Sequence, residues 1–197
     1  MKRDQEYREL FAKMDKKRNK IARALKEYAE PDTSVEKKIK LRTFLRQTSI
    51  DDPEDKLLLK GAILDPQYRG ELRNDMQLAL LHAIQDRPEE VDKEYILEVL
   101  QRKDVAAGWL MYAMLKMWDR RYIPYLLAGV IAEHRSCTDI EILGRMKVKE
   151  AIPFLEVALN DKNGEVRKAA YYALKNITGK KYENKRILDD PAAPKNR

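Results

Sequence analysis

The segment at residues 148–178 constrains the fold more than any other part of the chain. It reads VKEAIPFLEVALNDKNGEVRKAAYYALKNIT, and apolar residues recur in it at steps of three and four in two separate runs. At about 100° per residue, such residues share one face of a helix. Between the runs, Asn160, Asp161, Asn163 and Gly164 are residues that end and restart helices. The segment therefore predicts a pair of packed helices, which needs similar neighbours to bury its apolar faces.

The second helix of this pair is rich in small residues on its apolar face. Ala169, Ala170 and Ala173 lie among larger apolar residues, and Gly179 follows the run as a stop signal. Small side chains in such a stripe predict that neighbouring helices approach closely. In the first helix Pro153 comes near the start, where its missing N–H group is best tolerated.

This pattern resembles a HEAT repeat, in particular the short bacterial type also called the PBS-lyase-type repeat. The resemblance covers residues 148–179 and rests on Pro153, Asp161 eight residues later, the Val166–Arg167 pair and an alanine-rich helix ending in Leu-x-x-Ile-Thr-Gly. It implies an all-α fold, a right-handed α-solenoid of stacked antiparallel helix pairs. In that family the Asp and Arg side chains form a ladder between adjacent repeats. The resemblance thus implies structural roles for Asp161, Arg167 and Pro153.

A weaker repeat of the pattern lies upstream. Residues 122–126 (YIPYL) are similar to residues 151–155 (AIPFL), and residues 105–117 have the small and apolar character of a second helix. No Asp–Arg pair follows the upstream proline at the right spacing, so its second helix is expected to be short, at about 138–146. The irregular unit is either a local distortion of the array or a place where another molecule binds.

Positive charge is concentrated at the start of the chain. Residues 1–50 carry 15 Lys and Arg against 8 Asp and Glu, which accounts for the whole formal excess of +7. Apolar periodicity in this region predicts a long basic amphipathic helix of about 25 residues that ends near Ala29. A second helix should follow, with Val35, Ile39, Phe44 and Leu45 facing inward. The cations of the first helix form a predicted basic surface: Lys13, Lys16, Lys17, Lys20, Arg23 and Lys26.

Three interpretations of this basic surface are open. It is the solvated face of a helix, a set of phosphate contacts for nucleic acid, or a docking surface for an acidic protein. The sequence divides accordingly into a basic helical segment at 1–50 that packs on or extends from the array, HEAT-like repeats at 51–179, and a loosely ordered tail at 180–197.

Residue types suited to catalysis are scarce. The chain has two His and one Cys, and His134 with Cys137 supplies only two of the four ligands that a closed zinc site requires. Gly-rich phosphate loops and the common hydrolase motifs are not found. We therefore expect no catalytic residues, no metal, no cofactor and no small-molecule substrate. The first residues lack the apolar core of a signal peptide, no apolar run could span a membrane, and one cysteine suits a reducing cytoplasm.

An interaction surface is the remaining expectation. Tyr171 is predicted to lie off the apolar stripe among basic side chains, and Arg and Tyr are frequent anchors of protein interfaces. The predicted function is a non-catalytic protein-binding scaffold or adaptor. The alternative is a nucleic-acid-binding module that uses the basic N-terminal helices, in one form a HEAT-like module of the DNA glycosylase type. The candidate partner-binding residues are Arg167, Lys168, Tyr171, Lys175 and Lys116.

Overall fold

The chain is helical throughout the part that the structure describes. The computed structural model describes residues 2–16, 19–102 and 107–182, and within these ranges it contains α-helices and short 3-10 turns but no strand. The all-α prediction is confirmed. Contacts group the chain into two compact units, Met1–Tyr95 and Ile96–Arg197. The division by sequence pattern into 1–50, 51–179 and 180–197 stays a prediction, and residues 183–197 of the predicted tail lie outside the described residues.

The N-terminal unit is built from five helices and the first half of a sixth. Their bounds are α1 Lys2–Lys16, α2 Lys20–Ala29, α3 Val35–Gln47, α4 Pro53–Leu64, α5 Gly70–Asp86 and α6 Glu90–Gln101. Capping residues and a proline in the first turn explain where several of these helices begin. Ser34 and Asp52 cap α3 and α4 with side-chain oxygens, and Pro53 occupies the first turn of α4.

The prediction of one long basic N-terminal helix is wrong. Asn19 interrupts it with a non-helical backbone (φ −57°, ψ 133°), and its side chain accepts hydrogen bonds from the backbone N–H groups of Ile21 and Ala22. Its side-chain amide also donates to Asp55 in α4 at 2.5 Å. Asn19 thus caps a new helix, because an Asn oxygen satisfies the free N–H groups of a helix start.

The outward side of α3 also differs from the prediction. Val35 and Ile39 are 76% and 53% exposed, so neither faces inward, whereas Leu45 of the same helix is buried as predicted. Arg42 explains the orientation, since its guanidinium pairs with Asp75 at 2.7 Å and with Glu71, both on α5. These ion pairs turn the Arg42 side of α3 toward α5 and leave Val35 and Ile39 in solvent.

Helix α4 is the central element of the N-terminal unit. Its residues 58–64 are all buried, and Tyr7 of α1 lies against Gly61, where an added Cβ atom would be only 2.7 Å from the ring. On another side of α4, Lys56 and Lys60 both reach the fully buried Asp92 of α6, at 2.6 and 2.5 Å. Two ammonium groups therefore share one carboxylate inside this unit.

The C-terminal unit consists of the second half of α6 and helices α7 Met111–Lys116, α8 Ile123–Ile131, α9 Cys137–Arg145, α10 Ile152–Ala158 and α11 Gly164–Thr178. The predicted helix over 105–117 is shorter than expected, because Gly108–Leu110 forms a 3-10 turn and α7 starts at Met111. Residues 103–106 are outside the described ranges. The short helix predicted at 138–146 corresponds to α9.

Helices α8 and α10 begin in the same way. Each follows a 3-10 turn, Arg120–Tyr122 or Lys149–Ala151, and each has a proline at its second position. The positions inside the two segments correspond as well. Pro124 and Pro153 are exposed, whereas Leu126 and Leu155 are fully buried. The two helical hairpins α8/α9 and α10/α11 therefore share one local design, and their second helices pack against each other.

The contact between α9 and α11 is close because the residues at it are small. An added Cβ atom on Gly144 would lie 2.5 Å from the Cα atom of Ala173. Such an approach leaves no room for a Cβ atom at position 144 unless the two helices shift. The loops of the two hairpins are joined by an ion pair between Arg135 and Asp161, at 2.5 Å.

Candidate interaction site between helices α9 and α11

A groove of about 400 Å³ runs between α9 and α11 in the C-terminal unit. This volume is in the lower part of the range for sites that hold a ligand or an inserted side chain. Small residues form its floor, and the larger side chains of the two helices form its walls. The lining residues are Cys137, Glu141 and Arg145 of α9, and Glu165, Lys168, Ala169, Tyr172, Ala173 and Asn176 of α11.

The spacing of these residues follows from helix geometry. Positions 137, 141 and 145 repeat every four residues on α9, and positions 165, 168, 172 and 176 repeat every three or four on α11. Residues at these steps lie above one another on one helix face. The close contact at Gly144 and Ala173 holds the two faces side by side, and the space left by Ala169 and Ala173 forms the groove.

One aromatic side chain stands at the groove. Tyr172 is 39% exposed, although it is a large residue in the middle of a packed helix. Its ring meets that of Tyr171 edge to face, with centroids 5.4 Å apart. This contact fixes the ring while leaving part of it open to solvent, which is the arrangement that anchors a binding partner at many interfaces.

The charges at the groove are mixed. On α9, Glu141 and Arg145 form an ion pair at 2.6 Å. On α11, Glu165 and Lys168 form no ion pair with any residue in the described ranges. Burial raises the pKa of the Cys137 thiol, and the charge of Glu165 raises it further, so the thiol stays protonated near neutral pH. The groove thus offers apolar surface, one tyrosine and an unpaired charge of each sign.

The structure places the predicted partner-binding residues on different surfaces. Lys168 lines the groove, but Arg167, Tyr171 and Lys175 are not among its lining residues. Lys175 is exposed in the last turn of α11, and Lys116 is the exposed last residue of α7. The residues that sequence reasoning missed are Tyr172, Asn176 and the α9 wall, because their exposure depends on how α9 covers α11.

The residues predicted to join adjacent repeats also differ in their contacts. Asp161 accepts a hydrogen bond from Arg135, a residue of the preceding hairpin that the sequence did not single out. Arg167 instead donates to the carbonyl oxygens of Asp161 and Lys162, at 2.9 and 3.1 Å, in its own loop. Its guanidinium reaches back over the first turn of α11, and its hydrogen bonds within the described residues stay in this loop. Pro153 lies exposed at the start of α10.

Part of the predicted basic surface is neutralised within the chain. Lys13 pairs with Glu54 and Lys26 with Asp15, each at 2.9 Å. Lys16, Lys20 and Arg23 are exposed and form no ion pair within residues 2–16, 19–102 and 107–182. Lys17 lies outside the described residues. Three of the six predicted cations are therefore available to an anionic partner.

The described part of the chain contains neither a metal-binding cluster nor a membrane-spanning helix. No group of three or more His, Cys, Asp and Glu side chains is arranged to hold a metal ion there. None of the helices in these ranges has the length and apolar character required to cross a membrane.

Comparison with known proteins adds no relative. Neither models of protein families, nor curated proteins, nor solved structures give a match to this chain.

Proposed function

We propose that this chain is a non-catalytic protein-binding scaffold or adaptor of the cytoplasm, built on HEAT-like repeats, and that its binding surface is the groove between α9 and α11. The observation that carries the proposal is the partly exposed ring of Tyr172 beside a floor of alanines. Such a feature favours binding of a protein, because an apolar side chain inserted there would bury both the Tyr172 ring and the alanines from water.

The proposed architecture is a right-handed α-solenoid. Its support is the repeated design of the hairpins α8/α9 and α10/α11, in which a 3-10 turn leads into a helix with a proline at its second position. Further support comes from the Arg135–Asp161 ion pair, which joins equivalent loops of the two hairpins. Stacked repeats with open surfaces are well suited to binding other proteins.

Site-specific photocrosslinking tests the proposed function. A photoreactive phenylalanine analogue replaces Tyr172 in one variant and Tyr112, which is 53% exposed in α7, in a control variant. In extract from cells that naturally produce the protein, we expect the Tyr172 position to give a defined crosslinked protein that the Tyr112 position does not give. Equal crosslinking patterns at both positions would contradict a groove-specific partner.

The alternative function is nucleic-acid binding by the N-terminal helices. It is supported by Lys16, Lys20 and Arg23 near the junction of α1 and α2, which are exposed and form no ion pair with the residues that the structure describes. Phosphate contacts weaken as salt concentration rises, so the test is binding of single- and double-stranded DNA and RNA over a salt series. Binding that falls steeply with salt and is lost when these three residues are neutralised would favour this alternative. Absence of binding at low salt would exclude it.

A further inference from the structure

We infer that the groove between α9 and α11 selects a protein segment with three side chains in a fixed order. Counted from the end of the groove at Cys137, these are a basic, an acidic and a large apolar side chain. The inference rests on the proposed function and specifies the chemistry of the partner. Its basis is the order of Glu165, Lys168 and Tyr172 along the α11 wall.

The three residues follow one another at single-turn intervals. At 1.5 Å per residue, Glu165 and Tyr172 are separated by about 10 Å along the helix axis, with Lys168 between them. That distance is spanned by two turns of a helix or by about three residues of an extended chain. A short segment of a partner can therefore face all three residues at once.

Glu165 and Lys168 are the charges that remain open at the groove. Neither forms an ion pair with the residues in the described ranges, whereas the opposite wall is satisfied by the Glu141–Arg145 pair. Glu165 in the first turn of α11 lines the groove together with Cys137 in the first turn of α9, and its charge raises the pKa of the Cys137 thiol. A partner side chain of opposite charge at each position would gain attraction, and one of like charge would be repelled.

The apolar position is set by Tyr172 together with Ala169 and Ala173. The two small alanines line the groove together with Tyr172, and the Tyr172 ring contacts that of Tyr171 edge to face. A Leu, Met or Phe side chain fits this space because it covers the floor and contacts the ring. A polar side chain would lose its hydration there without a matching partner.

The alternation of charge distinguishes a protein partner from a polyanion. A phosphate backbone or an anionic membrane surface would be attracted by Lys168 but repelled by Glu165, which is three residues away on the same face. A second copy of the chain does not fill the groove with its own groove, since two concave surfaces facing each other leave the space between them empty.

The experiment is a peptide-display selection on the full-length chain, followed by measurement of affinity. Random 12-residue peptides are selected on the wild-type protein, and those that also bind the Tyr172→Ala variant are removed. The consensus peptide is then labelled, and its binding is measured by fluorescence anisotropy. We expect a consensus with Lys or Arg, then Asp or Glu, then a large apolar residue.

A charge exchange provides the decisive comparison. In the double variant Glu165→Lys/Lys168→Glu, the consensus peptide is expected to bind about tenfold more weakly, as two modest ion pairs become repulsive. A peptide with its two charges exchanged is expected to regain affinity for this variant. The control Lys149→Glu, on an exposed position before α10 and outside the groove, should change affinity less than twofold.

The outcomes separate the inference from the proposed function. A consensus without the charge order, or an affinity insensitive to the charge exchange, overturns the inference. The proposed function survives if the photoreactive residue at position 172 still gives a crosslinked protein that the one at position 112 does not give. Selection of no peptide also overturns the inference. Self-association in light scattering that disappears in Tyr172→Ala would identify a second copy as the occupant and overturn it as well.

Discussion

Gly144 of α9 and Ala173 of α11 meet so closely that position 144 has no room for a side chain, since an added Cβ atom would lie 2.5 Å from the Cα atom of Ala173. Both residues are almost completely buried. The contact sets the separation of the two helices and, with it, the width of the groove beside them.

The first prediction concerns this contact. Gly144→Ala should lower the free energy of unfolding by about 1 to 3 kcal/mol, because the added methyl group forces two helices apart. The higher helix propensity of alanine, worth about 1 kcal/mol, is expected to offset only part of this loss. Urea denaturation followed by circular dichroism measures the change. Gly108→Ala is the matched control, since the nearest atom to its added Cβ is 3.9 Å away; equal stability of both variants would contradict the prediction.

The second prediction concerns the buried carboxylate of Asp92. Asp92→Asn leaves Lys56 and Lys60 without the carboxylate that both contact, and an uncompensated buried charge typically costs about 3 to 5 kcal/mol. Burial lowers the pKa of Lys60, while the hydrogen bond to Asp92 opposes that effect. Adding Lys60→Met to Asp92→Asn should therefore restore part of the stability. Chemical denaturation of the single and double variants measures both effects, with the exposed Asp86→Asn as control. A double variant no more stable than Asp92→Asn would refute this explanation.

The third prediction is a pH dependence of stability caused by Asp139. Its carboxylate occupies the space beside Gly129, and burial raises its pKa to about 6. The folded state therefore binds a proton more tightly than the unfolded state, so stability falls as the pH rises from about 4 to about 6. Asp139→Asn cannot ionise, so this loss of stability does not occur in the variant. At pH 7 its free energy of unfolding is expected to exceed that of the wild type by about 1 to 2 kcal/mol, a value reduced for solvent screening of the partly exposed carboxylate.

The measurement for Asp139 is the difference in the free energy of unfolding between wild type and variant, obtained by urea denaturation at each pH. Other carboxylates titrate in both proteins and cancel in that difference. The expected curve is close to zero at pH 4 and reaches a plateau above pH 7. A difference that does not depend on pH would show that the carboxylate of Asp139 is as well stabilised in the folded chain as in water.

The fourth prediction uses the only cysteine of the chain as a probe of the groove. Because burial and the charge of Glu165 raise the pKa of the Cys137 thiol, its alkylation at pH 8 should be slower than that of an unhindered thiol. Glu165→Gln should increase the rate about twofold, since it removes a negative charge that disfavours the thiolate. Reaction with iodoacetamide followed by mass spectrometry gives the rate. Glu156→Gln, on an exposed position of α10, serves as the control and should leave it unchanged.

The parts of the fold that follow from local periodicity were predictable from the sequence. Residues 148–178 fold as the expected pair, α10 and α11, because their apolar steps, the turn residues and Gly179 all specify the same elements. The break at Asn19 was hidden for a physical reason. Met14 and Ile21 are both buried and are two helical turns apart, so the apolar period continues across the interruption. Only the capping side chain of Asn19 indicates where one helix ends and the next begins.

The candidate site was less predictable than the fold. Periodicity places Tyr171 and Tyr172 on adjacent edges of α11, but it does not tell which edge the neighbouring helix leaves open. That depends on the contact between Gly144 and Ala173, which lie in different hairpins. Arg135 was missed for a similar reason, because its pairing with Asp161 appears only when two loops far apart in the sequence are brought together.

The matching starts of α8 and α10 have a consequence for how such a chain can change its length. The same 3-10 turn and the same proline position recur after 29 residues. Dividing the chain before Arg120 or before Lys149 therefore leaves the same local backbone geometry at the start of the following segment. A stretch of that length could be removed or duplicated at these points with the entry into the following helix preserved. The side chains that would then need to adapt are those that meet across hairpins, foremost the glycine and alanine that set the distance between α9 and α11.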